Sequence, residues 1–469
     1  MKNRTVFRLG CMFAPALLFA ATVAADDYPE AARKTLDLSK QAIALRSVRG
    51  EGNETIKVAE LFRDALVAGG WSQKDVEIVP FEDTAYLIAT WPGSDPSLGP
   101  VVISAHMDVV EARPEDWQRD PFTPVVENGY LFGRGAGDTK FDAALALSAM
   151  IELRRQGFVP KRSIVIAFSG DEETTMATSR IIAQRLKHAD IVLNVDSSSG
   201  VLSEETGKPI VWRWQGAEKT YVDYQLGVSN PGGHSSEPRP DNAIVQLSRA
   251  IAKIGAYHFK PETNQITRGS LTAQSSIEPD AELASAVKAF LADPEDEAAL
   301  AVLRANPSYV GQIGTTCVVT MVSGGHAENA LPQRATANVN CRIFPGRSRK
   351  EISNELAQVI GDPQVTIVDV TGDNSTESAP SPIRDDFLQA AGKAVKAAWG
   401  DVPIVPYQAA YATDSMWYRA LGVPSYGSSA TMIKASEDYT HGLDERVPLL
   451  NIGPGITFYL SLLRDLSSN

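Results

Sequence analysis

The sequence predicts an α/β protein whose main sheet is interrupted by a smaller βαββαβ sandwich. Three observations predict it. Apolar runs at 100–104, 162–168 and 191–195 read as buried strands, and stretches of helical apolar spacing separate them. From Lys219 the pattern changes to β-α-β-β-α-β, the split-βαβ order, and later it returns to the first kind. The expected organisation is a main domain over 26–217 and 377–469 with a second domain, 218–376, inserted into it.

Bulk properties narrow the class. A chain of 469 residues is too long for one small core, and 43% hydrophobic with 22% charged residues is the balance of a globular protein. Residues 1–25 stand apart. Lys2, Arg4 and Arg8 precede an apolar segment at 9–20 and small residues at 22–25, the pattern of a secretory signal peptide too short to span a bilayer. The expected product is exported, periplasmic or secreted, with no stable membrane association after cleavage. Without the leader 41 basic residues face 57 acidic ones, a formal charge of −16 that argues against a nucleic-acid partner. Only Cys317 and Cys341 then remain, which excludes a disulfide scaffold and a thiolate zinc cluster. They sit symmetrically about Asn329 on two strands of one long hairpin, as a cross-strand disulfide or as two buried thiols.

In chain order, 28–45 and 55–68 are helices, the second stopped by Gly69-Gly70, and 76–81 and 86–91 are strands. The run at 100–104 leads to His106 and Asp108. A loop at 117–124 precedes Gly133-Arg-Gly-Ala-Gly-Asp138, which opens a helix reaching about 156. This loop is not a dinucleotide fingerprint, because Asp138 occupies the sixth position and would repel a pyrophosphate. The strand 162–168 delivers Glu172 and Glu173; after a helix at 181–186, the strand 191–195 delivers Asp196. In the inserted domain 221–228, 315–322, 335–343 and 365–370 are strands and 242–254 and 349–360 helices. An acidic, helix-prone insertion at 263–312 has no role legible in its residues. Helices at 385–399 and 450–463, a short strand at 404–405 and the loops carrying Asp414 and His441 complete the chain.

Ligands of open α/β sheets gather outside the carboxyl ends of the strands, so His106, Asp138, Glu173, Asp196 and His441 can meet. Imidazoles and carboxylates are zinc donors. Five such groups are one too few for two separate three-donor sites and suffice when one carboxylate bridges, for which Asp138 is the natural choice. Two cations so held would bring a shared water's pKa toward neutrality and polarise a carbonyl. Glu172, beside a ligand but spare, suits the general base that takes the water's proton.

His106-Met-Asp108, the Gly133 to Asp138 loop, Asp171-Glu-Glu173, Asp196 and His441 resemble, in order and spacing, a known family. These are the zinc-dependent exopeptidases and amidohydrolases that include glutamate carboxypeptidase, carboxypeptidase S, aminoacylase and succinyl-diaminopimelate desuccinylase. The resemblance implies a mixed-sheet catalytic domain with an inserted ferredoxin-like lid that also forms a homodimer. It implies two zinc ions per subunit, replaceable by cobalt or manganese: His106, Asp196 and bridging Asp138 at one, Glu173, His441 and Asp138 at the other. Glu172 is then the catalytic base and Asp108 the carboxylate partner of His106. Gly232-Gly-His-Ser-Ser236 resembles the motif whose histidine, here His234, reaches the scissile carbonyl from a partner subunit. Gly324-Gly-His-Ala-Glu-Asn329 and Arg342 match substrate-binding positions, the arginine reading a terminal carboxylate, and Asp414 lies in a third such motif. The family's Asp two residues before that arginine is Asn340 here, and Thr139 follows Asp138 where a second Asp in a cis peptide is common.

The resemblance implies a carboxypeptidase or dipeptidase acting beside a free carboxylate. The alternatives are an N-acyl-amino-acid amidohydrolase and, from another class, an inactive relative that binds metal or peptide. Amino-terminal sequencing of the exported protein is expected to begin at Ala25 or Asp26; a chain beginning at Met1 would make the leader an anchor.

Overall fold

The computed structural model describes residues 27–197 and 200–468, so the leader lies outside the described residues. A ten-stranded mixed sheet forms the larger layer. At its centre Val101–His106 lies between Ile164–Ser169 and Ile191–Asn194, parallel to both. Successive side chains on a strand point to opposite faces, and here both faces are covered. Val101, Ile103, Ile166 and Leu193 enter a core closed by the helices Pro29–Ala44, Thr55–Ala68, Lys140–Arg155 and Ile452–Ser467. Val102, Val165 and Val192 enter a second core on the other face, with Ile182, Met416 and Trp417. That double burial is why these runs are apolar throughout.

Residues 209–218, unassigned from sequence, form the long strand Pro209–Glu218. It pairs with Gly200–Leu202 on one side and, in parallel, with Ile404–Ala409 on the other. Its Trp212 and Trp214 pack edgewise or tilted on Phe458, Phe387 and Tyr426. Arg213, Gln215 and Gly216 break the apolar run, which hid the strand. Gly216 has its own reason: a Cβ there would lie 2.7 Å from Cδ1 of Ile266 on a neighbouring helix.

That helix, Gln265–Ile277, begins the insertion, followed by Ala281–Ala292, Glu297–Ala305 and the single turn Pro307–Val310. Each starts at an Asn or Asp, namely Asn264, Asp280, Asp296 and Asn306, whose side chain accepts a backbone N–H of the first turn. Leu271, Val287, Phe290, Leu300 and Leu303 give the unit a small core of its own.

A separate antiparallel sheet runs in the order Thr316–Gly324, Arg334–Ile343, Thr220–Ser229, Thr366–Asp369. The helices Ala243–Ala256 and Arg349–Ile360 cover one face, onto which Val222, Tyr224, Leu226, Val339 and Cys341 project. Alternation therefore turns Tyr221, Asp223, Asn340 and Arg342 to the opposite face. Cys317 stands opposite Cys341 across the ladder with Cα atoms 4.1 Å apart, and the two are joined as a disulfide. Peptide mapping without reductant is expected to recover the Cys317 and Cys341 peptides linked; two alkylatable thiols in the denatured protein would contradict it.

Candidate metal centre and catalytic cleft

Each candidate ligand sits where the sheet ends. His106 is the last residue of its strand, Glu172 and Glu173 lie in the turn after Ile164–Ser169, and Asp196 follows Ile191–Asn194. Asp138 closes the glycine-rich loop before Lys140–Arg155, and its peptide bond to Thr139 is cis. His441 comes from a distant loop and has a left-handed backbone, φ 60°.

The structure brings all five together around Asp138. His106 Nε2 is 2.8 Å from Asp138 Oδ1 and 3.3 Å from Asp196 Oδ1. His441 Nε2 is 3.2 Å from Asp138 Oδ2 and 3.0 Å from Glu173 Oε1. Each oxygen of one carboxylate thus faces its own imidazole and its own second carboxylate. His106 Nδ1 lies 2.9 Å from the main-chain oxygen of Asp108, which only accepts, so Nδ1 carries a hydrogen and, in the neutral ring, Nε2 a lone pair. A lone pair facing carboxylate oxygens at these distances calls for a cation or a proton between them. Nitrogen and oxygen donors in this arrangement fit zinc. Among the described residues His106, Asp138 and Glu173 form a cluster able to hold a metal, with donor atoms within 4.8 Å of one another.

Burial works to discharge His106, but the carboxylates of Asp196 and Asp138 outweigh it and hold its pKa well above the usual range. Burial likewise opposes ionisation of Asp138, yet contacts from His106 and His441 keep that carboxyl below its ordinary value. Asp196 and Glu172 are pushed well above theirs, chiefly by burial. No hydrogen bond or ion pair to the Glu172 carboxyl occurs among the described residues, and it lines a cavity of about 420 Å3 together with Asp138, Glu173, Asp196 and His441.

Asp108 does more than attend His106, from which its carboxylate is 3.6 Å. Its two oxygens accept the backbone N–H groups of Glu172 and Glu173 at 3.1 and 3.0 Å, fixing the turn that presents both glutamates. Asp171 ties the other end of this turn, accepting from the amides of Ala177 and Thr178 at 2.9 Å each.

Sequence reasoning missed Glu445, four residues after His441. It is fully buried and accepts from the amides of Gly137 at 2.6 Å, Asp138 at 3.0 Å and Gly135 at 3.3 Å, besides pairing with Arg134. One carboxylate therefore moulds the loop that carries Asp138 while its own backbone belongs to the loop that carries His441. An acidic residue close after His441, in Thr440-His-Gly-Leu-Asp-Glu445, was the signal available.

The remaining candidates are not at the metal centre. His234 and Asn329 share a short exposed ribbon, Gly233–His234 paired with Ala330–Leu331, and neither lines the cavity. Arg342 lies over the ring of Tyr221 at 4.7 Å and reaches the carbonyl of Ala410 at 3.5 Å, touching the segment whose Tyr411 lines the cavity. Asn340 faces Asp223 directly across the ladder and donates to it at 3.0 Å, so the neighbouring strand supplies a carboxylate beside the amide. Asp414 is buried under the strand ends and accepts from Ser169 Oγ at 2.7 Å.

Two histidines and several carboxylates, gathered by strand ends and loops at the carboxyl edge of an open α/β sheet, form a candidate metal centre. The chain belongs to peptidase family M20/M25/M40, whose profile matches residues 102–465, and is a metallopeptidase of that family. It is 28% identical to a probable carboxypeptidase S-like 2 of Dictyostelium discoideum, over 81% of this chain and 74% of that one. It is 27% identical to the mouse N-fatty-acyl-amino acid synthase/hydrolase PM20D1, over 80% of this chain and 75% of the relative. An M20 family metallo-carboxypeptidase from Sulfolobus solfataricus superposes with a TM-score of 0.69 at 17% identity, covering 92% of this chain and 98% of that one. The dipeptidase Dug1p from Saccharomyces cerevisiae gives 0.63 at 16%, covering 94% and 99%.

Glu445→Gln keeps the shape but sets an amide N–H₂ against loop donors. Metal affinity is expected to fall roughly 10- to 100-fold, read by competition with a chelating dye; unchanged affinity would leave Glu445 a packing residue.

Proposed function

We propose that the protein is an exported two-zinc exopeptidase that hydrolyses the amide bond next to a free carboxylate in dipeptides or short peptides. The observation that carries the reading is the Asp138 carboxylate, each of whose oxygens faces a separate imidazole and carboxylate, with an unbonded Glu172 beside it. His106, Asp196 and Asp138 would hold one zinc, Glu173, His441 and Asp138 the other. Zinc at these positions supplies acidification of a water and polarisation of the substrate carbonyl. Glu172 accepts the proton of the attacking water and passes it to the leaving nitrogen; its elevated affinity for protons suits a group that must take one up and release it. Arg342 reads the substrate carboxylate. In support, its guanidinium is partly buried on Tyr221, with no ion pair to a carboxylate among the described residues.

His234 donates to the oxyanion that develops on the carbonyl. Its place on an exposed ribbon outside the cavity favours delivery from a second copy of the chain, with residues 218–376 acting as lid and dimerisation domain. The edge strand Thr316–Gly324 carries Val318, Met321 and Val322 at 58%, 70% and 69% exposure, an apolar edge suited to that contact. Export rests on the leader; no described helix is long and apolar enough to cross a membrane.

A second reading, hydrolysis of N-acyl amino acids, is favoured by the likeness to PM20D1. Both substrate classes present an amide beside a carboxylate, so the metal centre serves either. Elemental analysis is expected to find about two zinc per chain, and a mixed panel of dipeptides and N-acyl amino acids to be cleaved until chelator is added. Glu172→Ala should retain the metal and abolish turnover; an active variant removes Glu172 as the base. His234→Ala should lower kcat roughly 100-fold or more with the metal retained, and an unaffected kcat would remove it from the oxyanion site.

A further inference from the structure

The insertion has no part in the metal centre, yet its two ends converge on the strand that supplies Tyr407 to the cavity wall. Glu262 N–H donates to the carbonyl of Ile313 at 2.9 Å, so the chain leaves and re-enters at one point. Beside that point two side-chain amides reach the same buried residue. Asn264 Nδ2 donates to Gln408 Oε1 at 2.7 Å, and Gln312 Nε2 donates to the main-chain oxygen of Gln408 at 3.1 Å.

Gln408 needs them because of where it lies. Among the described strands Ile404–Ala409 pairs with Pro209–Glu218 alone, and between Tyr407 and Gln408 that partner carries one extra residue, Gly216. Such a bulge in the partner disrupts the ladder locally, just where Gln408 lies. Here the amide of Gln312 takes up the Gln408 carbonyl. Tyr407 beside it and Tyr411 just past the strand stand in the cavity wall, and Ala410 offers its carbonyl to Arg342. Gly269 lets the first helix of the insertion lie directly on this strand, since a Cβ there would be 2.6 Å from Cγ of Pro406.

We propose that the helical insertion is a positioning element for the substrate site, with Asn264 and Gln312 holding Gln408 opposite the bulge so that Tyr407, Tyr411 and Arg342 keep their places. The inference rests on the cavity being the substrate site of the proposed hydrolase. The insertion then acts on substrate fit and leaves metal binding and the chemical step alone.

Asn264→Ser keeps an oxygen for the helix cap but loses the reach to Gln408, and Gln312→Ala removes the second support; the double variant combines them. Hydrogen exchange of intact variants is expected to quicken at 407–414 and to stay at wild-type rates in 101–106 and 164–169. For a substrate cleaved by the wild type, KM should rise about tenfold in the double variant, the loss of one to two neutral hydrogen bonds. Its zinc content should be that of the wild type and its kcat within about twofold. Exchange that is unchanged at 407–414, or that quickens equally in the central strands, overturns the proposal, as does an unmoved KM in a variant whose exchange has quickened. If the wild type cleaves nothing on the panel, it is the hydrolase reading that fails, and the exchange data still decide whether the insertion holds this segment.

Discussion

A largely enclosed carboxylate flanked by two imidazoles and two further carboxylates is the constraint on which this molecule depends. So many acidic oxygens in one low-dielectric place repel one another unless cations lie among them. The fold can gather them because parallel strands end together, and each brings one group whose backbone is already fixed by the ladder. Asp138 and His441 arrive on loops instead, and Glu445 binds those two loops to each other.

The neighbours Glu172 and Glu173 illustrate how little sequence distance is needed to separate surroundings. Both amides are held by one carboxylate, Asp108, so the turn has no freedom to exchange the two side chains. Glu173 is aimed at His441, while Glu172 stands over the cavity without a partner among the described residues. Burial, with the charges of Asp196, Glu173 and Asp414 added to it, raises the affinity of Glu172 for a proton. The same logic explains why Asp108 serves the turn as well as the histidine: at 3.6 Å from Nδ1 its carboxylate is better placed for the amides.

Much of this was legible in the sequence because the central strands are covered on both faces and therefore read as unbroken apolar runs, each followed by a polar residue at its end. The candidate ligands could be named for that reason, whereas the insertion read only as acidic and helix-prone. What stayed hidden depends on contacts far apart in the chain. Pro209–Glu218 is broken by Gly216, whose purpose is visible only once Ile266 is seen beside it. Glu445 looks like any surface acid until the amides of Gly137 and Asp138 are found pointing at it. The separation of His234 from the cavity is likewise a property of three dimensions, since its motif lies in an ordinary glycine-flanked loop.

The bond between Cys317 and Cys341 closes a loop of 24 residues' separation that contains Asn329 and the ribbon paired with His234. By loop-closure entropy such a link removes about 3 kcal/mol of freedom from the unfolded chain. Glutathione and thioredoxin keep cytosolic thiols reduced, whereas envelope and extracellular spaces allow them to oxidise. Maturation of this hairpin is thus coupled to the redox state of the space in which the chain folds. A copy folded behind a reducing barrier would have the same strands in the same register, but with a less firmly tethered outer strand.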